Sequence, residues 1–386
     1  MSYRTRPSSP DARYNLLMLS GDTALARGDD GAFYQLLARF APYWKRIDIL
    51  TPAVSGAHPR TVHETVHVHP APYHRALQPY FIRRRGAALL AQRPYHLVVS
   101  HDFGFFYNGI GAWWLLRGRD LPLVSEIHHI EGYPHAVTRR ERLWRWAARH
   151  YLPRIGQRAQ AVRVVNHDLA QQVIAFGVPA HKVRVLHSLY MDFDIYQPQA
   201  VSKQYDVLFV GRLASNKGIL HLLEAVERVA QTHPTVTLAI RGSGALRATI
   251  EARARASNLN VTFLPRVAHT RDMAQVYSRA RLLVCASTVE GNPRVTIEAM
   301  ACGVPVISTR VGIMPQVIDD GENGYLVDHN PDAIASAICR LLDDPDHRAR
   351  MGERGRAAVQ GFAAETTVHA YATAYHAIIA AHHADD

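Results

Sequence analysis

The run EGNPRVTIEAMACGVPVIST, residues 290–309, has glutamates at its first and ninth positions. Gly291 and Pro293 favour a turn that cannot be helical, so a helix is predicted to begin near Arg294 or Val295. The pattern after it closes on a Gly-Val-Pro turn and continues as an apolar strand. This order of turn, helix, turn and strand is typical of an α/β fold with a parallel sheet.

The two glutamates lie on either side of the predicted helix start. Free N–H groups and the positive end of the helix dipole favour an anion at that point. Glu290 precedes the helix and Glu298 lies about one turn into it, where carboxylates can accept hydrogen bonds from hydroxyl groups. A phosphate beside hydroxyls is the chemistry of a sugar nucleotide, so the segment predicts a site for one.

These residues resemble a known family signature, E-G-x-P-x-x-x-x-E-A-M-A-x-G-x-P-V-I. It belongs to the retaining nucleotide-sugar glycosyltransferases of the GT-B type, in family four. The resemblance implies that Glu290 lies beside the donor sugar and that Glu298 binds the ribose. It also implies that the loop and helix start hold sugar hydroxyls and diphosphate through Gly291, Asn292, Pro293, Arg294 and Val295. A lone pair of glutamates eight apart is common on solvated surfaces, but the matching residues around this pair argue against coincidence.

A second motif precedes it, in DVLFVGRLASNKGILHLLEAV, residues 206–226. An apolar strand leads through Gly211 and a polar loop into an amphipathic helix near Gly218, and the run resembles the family's V-G-R-L-x-x-x-K-G. An arginine fork and a lysine point charge at a strand's carboxyl edge suit a diphosphate. Arg212 and Lys217 are therefore the predicted phosphate clamp, and Gly211 is predicted to belong to the same donor-binding site. By itself the segment also fits an ordinary exposed loop.

The run VTLAIRGSGALRATIEARA, residues 236–254, matches the family's strand followed by G-x-G. Gly242 and Gly244 are predicted to lie near the nucleotide, although a tight turn alone would also require them. The next strand, VTFLPRV, departs from the family, since Pro265 and Arg266 stand where many relatives carry glycine. That segment passes the nucleobase in relatives, so the departure leaves the base open, and the donor is expected to be a UDP- or a GDP-sugar.

Strands and helices alternate along both halves of the chain. The expected fold class is α/β, with two Rossmann-like doubly wound domains facing across a cleft, as in GT-B. The expected domains are an acceptor-binding domain at residues 1–190, a donor-binding domain at 191–365 and a helix at 366–386 that packs back on the first domain. Predicted strands start at residues 14, 46, 65, 97, 123 and 161, and then at 207, 236, 261, 282 and 304.

Composition restricts the class of protein. The N-terminus lacks the apolar stretch of a signal peptide, and no run of 18 apolar residues occurs. The three cysteines, Cys285, Cys302 and Cys339, are odd in number and lack C-x-x-C spacing, so buried reduced thiols are expected. The expected location is the cytoplasm, with a peripheral position at the inner face of a membrane left open.

Positive charge is concentrated in the first half. Residues 1–200 contain 25 Lys+Arg and 14 Asp+Glu, a balance of +11, and residues 201–386 balance at zero. This asymmetry favours an anionic partner such as a membrane surface, a lipid-linked sugar or an acidic glycan. No nucleic-acid motif accompanies the charge, so nucleic acid is not expected.

The densest positive segment is TRRERLWRWAARHYLPRIGQR, residues 138–158. Arginines interleaved with leucine and tryptophan are typical of helices that lie at a membrane interface. The alternative is a helix that packs Leu143, Trp144 and Trp146 into its own domain and leaves its arginines solvated.

Three N-terminal segments are candidates for the acceptor side. The resemblance implies that His128, at the end of a predicted strand, lies beside the donor sugar and the attacking hydroxyl, with His129 as the alternative in register. The acceptor cleft is predicted to include Asp29, Asp30 and Gly31, in a loop before a helix that starts near Gly31. It is also predicted to include His101 and Asp102, at the end of another strand, and Tyr133 in a loop. His101 and Asp102 would equally fit a strand cap.

Metal is not expected. Alternation with valines places His63, His67 and His69 on the exposed face of a strand rather than in a cluster. No D-x-D pair stands at a donor-domain loop, apart from Asp344 and Asp346 in a helical region. The resemblance implies metal-independent chemistry, with Arg212, Lys217 and helix amides neutralising the leaving diphosphate.

The sequence therefore predicts a retaining glycosyltransferase without a cofactor, which moves a hexosyl group from a nucleotide sugar to a hydroxyl of a glycan or lipid-linked sugar. Its catalytic residues would be His128, Arg212, Lys217 and Glu290. Two alternatives stay open. One is a GT-B-related nucleotide-sugar epimerase or phosphorylase. The other is a non-catalytic protein that binds a sugar nucleotide or an anionic surface.

Overall fold

A computed structural model describes residues 12–29, 31–131, 139–187, 189–267 and 271–384. The chain divides into two compact units. Unit 1 comprises Met1–Ser188 with Glu365–Asp386, and unit 2 comprises Leu189–Ala364.

Unit 1 is built on an eight-stranded sheet in the order β3-β4-β2-β1-β5-β6-β7-β8. All neighbours are parallel except the edge pair β3 and β4. The strands are β1 (Asn15–Leu19), β2 (Arg46–Thr51), β3 (Arg60–Val62), β4 (Val66–Pro70), β5 (Leu97–Asp102), β6 (Leu123–Ile127), β7 (Ala161–Val164) and β8 (Val183–Val185). The helices between these strands are α1 (Thr23–Arg27), α2 (Ala32–Phe40), α3 (Gln78–Gln92), α4 (Tyr107–Leu115), α5 (Arg139–Arg158) and α6 (His167–Ala175).

Unit 2 contains a six-stranded, fully parallel sheet in the order β11-β10-β9-β12-β13-β14. Its strands are β9 (Tyr205–Val210), β10 (Thr237–Arg241), β11 (Asn260–Phe263), β12 (Ala280–Cys285), β13 (Val306–Thr309) and β14 (Tyr325–Val327). Its helices are α7 (Ile219–Thr232), α8 (Arg247–Ala256), α9 (Asp272–Ser278), α10 (Arg294–Ala301), α11 (Met314–Val317), α12 (Pro331–Asp343) and α13 (Pro345–Ala358). The chain order switches at β9, which pairs with β10 on one side and β12 on the other.

The last helix, α14 (Ala364–Ala384), packs on unit 1. Its Val368, Tyr371, Tyr375 and Ile379 are buried against β1, β2 and β5, on the face that also receives α2. Helices α3 to α6 cover the opposite face of the same sheet. Both faces are therefore covered, which is why the central strands are apolar throughout rather than alternating.

Unit 2 has the same three-layer arrangement. One face of its sheet is covered by α7, α8 and α12, and the other by α9, α10 and α11. Two of the three free cysteines, Cys285 and Cys302, are buried and Cys339 is partly exposed. Desolvation raises the pKa of both buried thiols, that of Cys302 to about 12, so they are expected to stay protonated.

The predicted α/β class with two doubly wound units is confirmed. All eleven predicted strands are present, within about two residues of their predicted starts, and α10 begins at Arg294 as expected. The sequence analysis did not predict β3, β8 and β14. Each has three residues, which is too short to produce a recognisable periodicity.

The prediction that three histidines lie on the exposed face of one strand is wrong for two of them. His63 lies in the turn between β3 and β4 with a φ of 46°, and therefore not in a strand. His69 is buried and its Nε2 lies 2.7 Å from Oδ1 of Asp48. His67 alone is partly exposed on β4. In the part of the chain that the structure describes, no helix combines the length and the apolar character needed to cross a membrane.

Candidate functional site

The predicted phosphate clamp follows β9, at the carboxyl edge of the unit 2 sheet. Gly211 is the first residue after the strand, and its N–H donates to the carbonyl of Arg241 at 3.0 Å. Arg212 is solvent-exposed and makes no ion pair with any residue that the structure describes. Lys217 closes a 3-10 turn, Ser215–Lys217, directly before α7. The clamp residues thus lie at the edge where doubly wound sheets bind ligands.

Lys217 and Glu290 form an ion pair. The Lys217 Nζ contacts Oε1 of Glu290, which also accepts a hydrogen bond of 2.8 Å from Ser287 Oγ. Both charged side chains are mostly buried, at 19% and 16% exposure. Two residues 73 positions apart, predicted from separate motifs, are therefore in direct contact at one point of the sheet edge.

Gly242 and Gly244 let the loop after β10 approach the loop after β9. A Cβ atom at Gly242 would collide with the carbonyl oxygen of Gly211, and one at Gly244 would collide with the backbone of Leu213. Gly244 also has a φ of 157°, which L side chains rarely adopt. The glycines therefore have a packing role, and they bring the two loops together at the clamp.

The start of α10 has the features that the sequence predicted for an anion site. Among the described residues, no side chain caps it. Its first amides have no carbonyl partner within the helix. The Asn292 side chain has both polar atoms buried without a hydrogen-bond partner in the described chain. Such a group costs free energy unless a ligand or water satisfies it, so the Asn292 amide is available to hydrogen-bond a ligand or a water.

Glu298 is buried and braced from two sides. Its Oε2 accepts a hydrogen bond of 2.6 Å from Tyr277 Oη, and its Oε1 accepts one of 2.8 Å from Arg294 Nε. The Arg294 guanidinium in turn lies 5.1 Å from the centre of the Tyr190 ring. Each carboxylate oxygen can accept two hydrogen bonds. Glu298 therefore keeps accepting capacity, in an orientation fixed by its neighbours.

Electrostatics reinforce this brace. Burial and the neighbouring carboxylate of Glu298 raise the pKa of Tyr277 well above its ordinary value, so it remains a hydrogen-bond donor. Burial alone would lower the pKa of Arg294, but Glu298 outweighs it and the pKa is raised. Arg294 is therefore permanently charged. Its contact with Glu298 means that this predicted donor-binding side chain is paired with another residue of the site.

On unit 1, His128 and His129 follow β6 and have different partners. His128 Nε2 lies 3.2 Å from Oε2 of the buried Glu126, whereas His129 Nε2 lies 3.7 Å from Oε1 of Glu131. The His128 side chain is 46% exposed. Of the two alternatives in register, His128 is the one that contacts a buried residue, Glu126, at the carboxyl edge of the sheet.

The two predicted residues at the end of β5 are largely enclosed. His101 is partly buried and its Nδ1 lies 3.3 Å from Ser20 Oγ. Burial lowers its pKa to about 4, so the ring is neutral at physiological pH. Asp102 is buried, and its oxygens accept hydrogen bonds from Ser100, Ser125 and Tyr151. These contacts fit the strand-cap alternative for Asp102, because both of its carboxylate oxygens already accept hydrogen bonds within unit 1.

The remaining predictions for the acceptor side concern the first loop and Tyr133. Gly31 caps α2, and its N–H donates to the Asp29 carbonyl at 2.8 Å. The Asp29 side chain is exposed and pairs with Arg27 Nε at 2.9 Å, which partly neutralises it. Asp30 and Tyr133 lie outside the residues that the structure describes.

Sequence reasoning missed the groups that hold the site residues in place. In unit 2 these are Tyr277, Ser287 and Tyr190. In unit 1, Glu126 contacts Arg163 of β7 and the tyrosines Tyr371 and Tyr375 of α14. A signal was present, because single charges interrupt the apolar strand runs LVSEI and AVRVV, and a buried charge needs a partner.

Two family models match the chain. The model of the glycosyl transferases group 1 covers residues 192–358, and that of the glycosyl transferase 4-like domain covers residues 33–188. A D-inositol 3-phosphate glycosyltransferase of Corynebacterium kroppenstedtii is 38% identical over 157 residues, which are 38% of this chain and 35% of that protein. The chain thus matches about a third of the length of this relative.

Solved structures share the fold. Sucrose-phosphate synthase from Thermosynechococcus elongatus has a TM-score of 0.79 at 24% identity, over 96% of this chain and all of that chain. Anabaena Alr3699/HepE, solved in complex with UDP and glucose, has a TM-score of 0.75 at 20% identity, over 95% and 100% of the two chains. Both family models together account for most of the sequence. Each half of the chain therefore matches a glycosyltransferase family model, and its fold is that of the GT-B glycosyltransferases.

Proposed function

We propose that this protein is a retaining glycosyltransferase that transfers a sugar from a nucleoside diphosphate donor to a hydroxyl acceptor. The observation that carries the proposal is the contact of Lys217 with Glu290, next to an exposed Arg212. A cation for the diphosphate and a carboxylate for the sugar hydroxyls are thereby placed side by side. The UDP and glucose bound by Alr3699/HepE are consistent with a UDP-sugar donor, and GDP is the alternative.

The chemistry asked of the protein is charge stabilisation and positioning. When the bond to the diphosphate breaks, negative charge grows on the leaving oxygen, and fixed cations and amide dipoles stabilise it. In front-face displacement, the mechanism favoured for the family, that oxygen also helps to take the proton of the attacking hydroxyl. Glu290 is engaged by Lys217 and Ser287. Its proposed part is to orient the sugar rather than to attack it.

A donor screen tests this function. Thermal unfolding would be followed with UDP-, GDP- and ADP-sugars, and one class is expected to stabilise the protein by about 2.7 kcal/mol at 100 times its Kd. Release of the nucleoside diphosphate should then depend on an acceptor. Epimerised donor formed without acceptor would favour an epimerase, and a bound pyridoxal group would favour a phosphorylase. Stabilisation without any turnover would favour a non-catalytic binding protein.

The two glutamates are expected to separate nucleotide binding from sugar transfer. Glu298→Ala should weaken binding of the free nucleoside diphosphate, because its proposed partner is the ribose. Glu290→Ala should leave that binding nearly intact and slow transfer from the complete donor. Titration calorimetry with the diphosphate and initial rates with the sugar donor would measure both effects. Equal losses of diphosphate affinity in the two variants would contradict this division of roles.

We further propose that transfer does not require a divalent metal ion. Arg212, Lys217 and the amides at the start of α10 would supply the positive charge that a metal supplies in other sugar transferases. Activity is therefore expected to survive treatment with EDTA and subsequent buffer exchange. Loss of activity that magnesium or manganese restores would show that these cations are not sufficient.

We also propose that the acceptor is met at an anionic membrane surface. Residues 71–160, which include α3, α4 and α5, contain 14 arginines, no lysine and five acidic residues, a balance of +9. Among the residues that the structure describes, seven of the eight exposed large hydrophobic side chains lie in the same stretch, namely Leu77, Tyr80, Phe105, Trp113, Trp114, Leu143 and Trp146. Scattered exposed hydrophobics are ordinary, but this concentration is typical of an interaction surface.

The chemistry of this aromatic and arginine-rich surface fits lipid headgroups. Trp and Tyr prefer the boundary between headgroups and acyl chains, and arginines extend to the phosphates. On α5, Leu143 is 49% and Trp146 60% exposed, on the same side as the exposed Arg139 and Arg142. A peripheral position on acidic lipid, with a lipid-linked or glycan acceptor, follows as the proposed setting of the reaction.

A further inference from the structure

Glu126 is the centre of a buried network in unit 1. The side chain is 1% exposed and lies on β6, two residues before His128. The groups around its carboxylate come from β5, from the residue after β6, from β7 and from α14, and they are His101, His128, Arg163, Tyr371 and Tyr375. The last two donate their hydroxyl hydrogens to the same oxygen, Oε1.

Arg163 keeps the carboxylate ionised. Its Nη1 lies 2.9 Å from Oε2 of Glu126, and the arginine itself is only 2% exposed. Burial alone would raise the pKa of Glu126, but the charge of Arg163, together with the hydrogen bond from His128, outweighs it, so the pKa lies well below its ordinary value. The pKa values of Tyr371 and Tyr375 are raised by burial and by Glu126, so both remain donors.

An ionised carboxylate only accepts hydrogen bonds, and this determines which nitrogen of His128 carries hydrogen. Because Nε2 of His128 lies 3.2 Å from Oε2, that nitrogen must be the protonated one for the contact to be favourable. In the neutral ring, Nδ1 then carries the lone pair. Since the His128 side chain is 46% exposed, Nδ1 is the nitrogen left to meet a ligand.

We propose that Glu126 is a positioning residue, which holds His128 in the Nε2–H tautomer and leaves Nδ1 as a hydrogen-bond acceptor for a sugar hydroxyl. Arg163 and the two tyrosines of α14 fix the carboxylate in turn. The C-terminal helix, more than 240 residues further along the chain, thereby determines the state of the histidine. The identity of the hydroxyl as a substrate group rests on the proposed transfer reaction, but the tautomer does not.

The tautomer is measurable in the free, full-length enzyme. Long-range proton–nitrogen correlation spectra of protein labelled with ¹⁵N-histidine distinguish a protonated Nε2 from a protonated Nδ1. Comparison with His128→Asn, a change at a half-exposed side chain, assigns the signals. We expect Nε2 protonated and Nδ1 unprotonated at a pH where the ring is neutral. A protonated Nδ1 in the wild-type protein would overturn the proposal without any variant of Glu126.

Variants then test the role of Glu126 in turnover. Glu126→Gln replaces one acceptor oxygen by an amide donor, so His128 is expected to lose its single tautomer and kcat to fall by at least about tenfold. The matched control is Glu131→Gln, which alters the contact between Glu131 and the neighbouring His129. This variant should change neither the tautomer of His128 nor kcat. Glu126→Gln spectra and rates like those of the control would refute the positioning role.

Failure of this inference is distinguishable from failure of the proposed function. The tautomer is read without substrate, and nucleoside diphosphate binding depends on motifs in unit 2. We expect Glu126→Gln to bind the diphosphate as the wild type does. Absence of nucleotide binding in the wild-type protein would contradict the transferase function, while the state of His128 would still be measured independently.

Discussion

Lys217→Ala is expected to lower kcat by at least about 100-fold, which corresponds to about 3 kcal/mol of lost transition-state stabilisation for one charged donor. The lysine lies at the carboxyl edge of the unit 2 sheet, where the leaving diphosphate is proposed to bind. Its removal also leaves Glu290, only 16% exposed, without its ion-pair partner. Initial rates with saturating donor and acceptor would measure the loss.

Arg212→Ala should produce a loss of similar size for a simpler reason. Arg212 has no ion pair among the described residues, so its removal takes away charge from the proposed diphosphate site without breaking an ion pair there. The matched control is Arg350→Ala, which removes an exposed cation from α13 of the same unit and should leave kcat unchanged. Near-normal turnover in either clamp variant would contradict the assignment.

The donor side was predictable from sequence because its parts are local. Gly291 and Pro293 exclude a helix, and α10 accordingly begins at Arg294. The loop after β9 is likewise specified by a strand, a turn and an amphipathic helix in continuous sequence. What the motifs did not contain was the direct contact of Lys217 with Glu290, since spacing within one motif carries no information about the distance to another.

The network around Glu126 was not predictable for the same physical reason. Tyr371 and Tyr375 lie 245 and 249 positions from their partner, and only tertiary packing of α14 on unit 1 brings them there. Sequence reasoning identified His128 as a lone histidine at a strand end. The orientation of His128 depends on the carboxylate of Glu126. The strand pattern shows that this charge is present but not which residues contact it.

The role of α5 was left open by its sequence. The arginines and tryptophans fitted either an interfacial helix or a helix that buries its hydrophobic side chains. In the structure the hydrophobic side chains of α5 fall into two groups. Ala148, Leu152 and Ile155 face the core, whereas Leu143 and Trp146 are exposed. The interpretation in which the domain itself buries all of its large side chains is therefore wrong for these two residues.

Reversing two charges on α5 is expected to abolish binding to acidic vesicles. Each arginine near an anionic surface contributes about 1 kcal/mol to binding. Exchanging Arg139 and Arg142 for glutamate removes two attractions and adds two repulsions. The total cost should be about 4 kcal/mol, or about a thousandfold in affinity. Vesicles containing phosphatidylserine would be compared with neutral vesicles by co-sedimentation at low salt. Binding should also weaken as salt shortens the Debye length to about 3 Å at 1 M.

The control places the same charge change elsewhere. Arg255 and Arg350 are exposed on α8 and α13 of unit 2, and their double exchange for glutamate should leave vesicle binding nearly unchanged. A Trp146→Ser variant should weaken binding at every salt concentration, because the insertion of the ring does not depend on screening. Nucleotide binding should persist in all these variants, since the donor motifs lie in unit 2. If the wild-type protein ignores acidic vesicles at low salt, the membrane setting is contradicted. The exposed arginines of α5 then act as a solvated surface, and the acceptor is a soluble molecule.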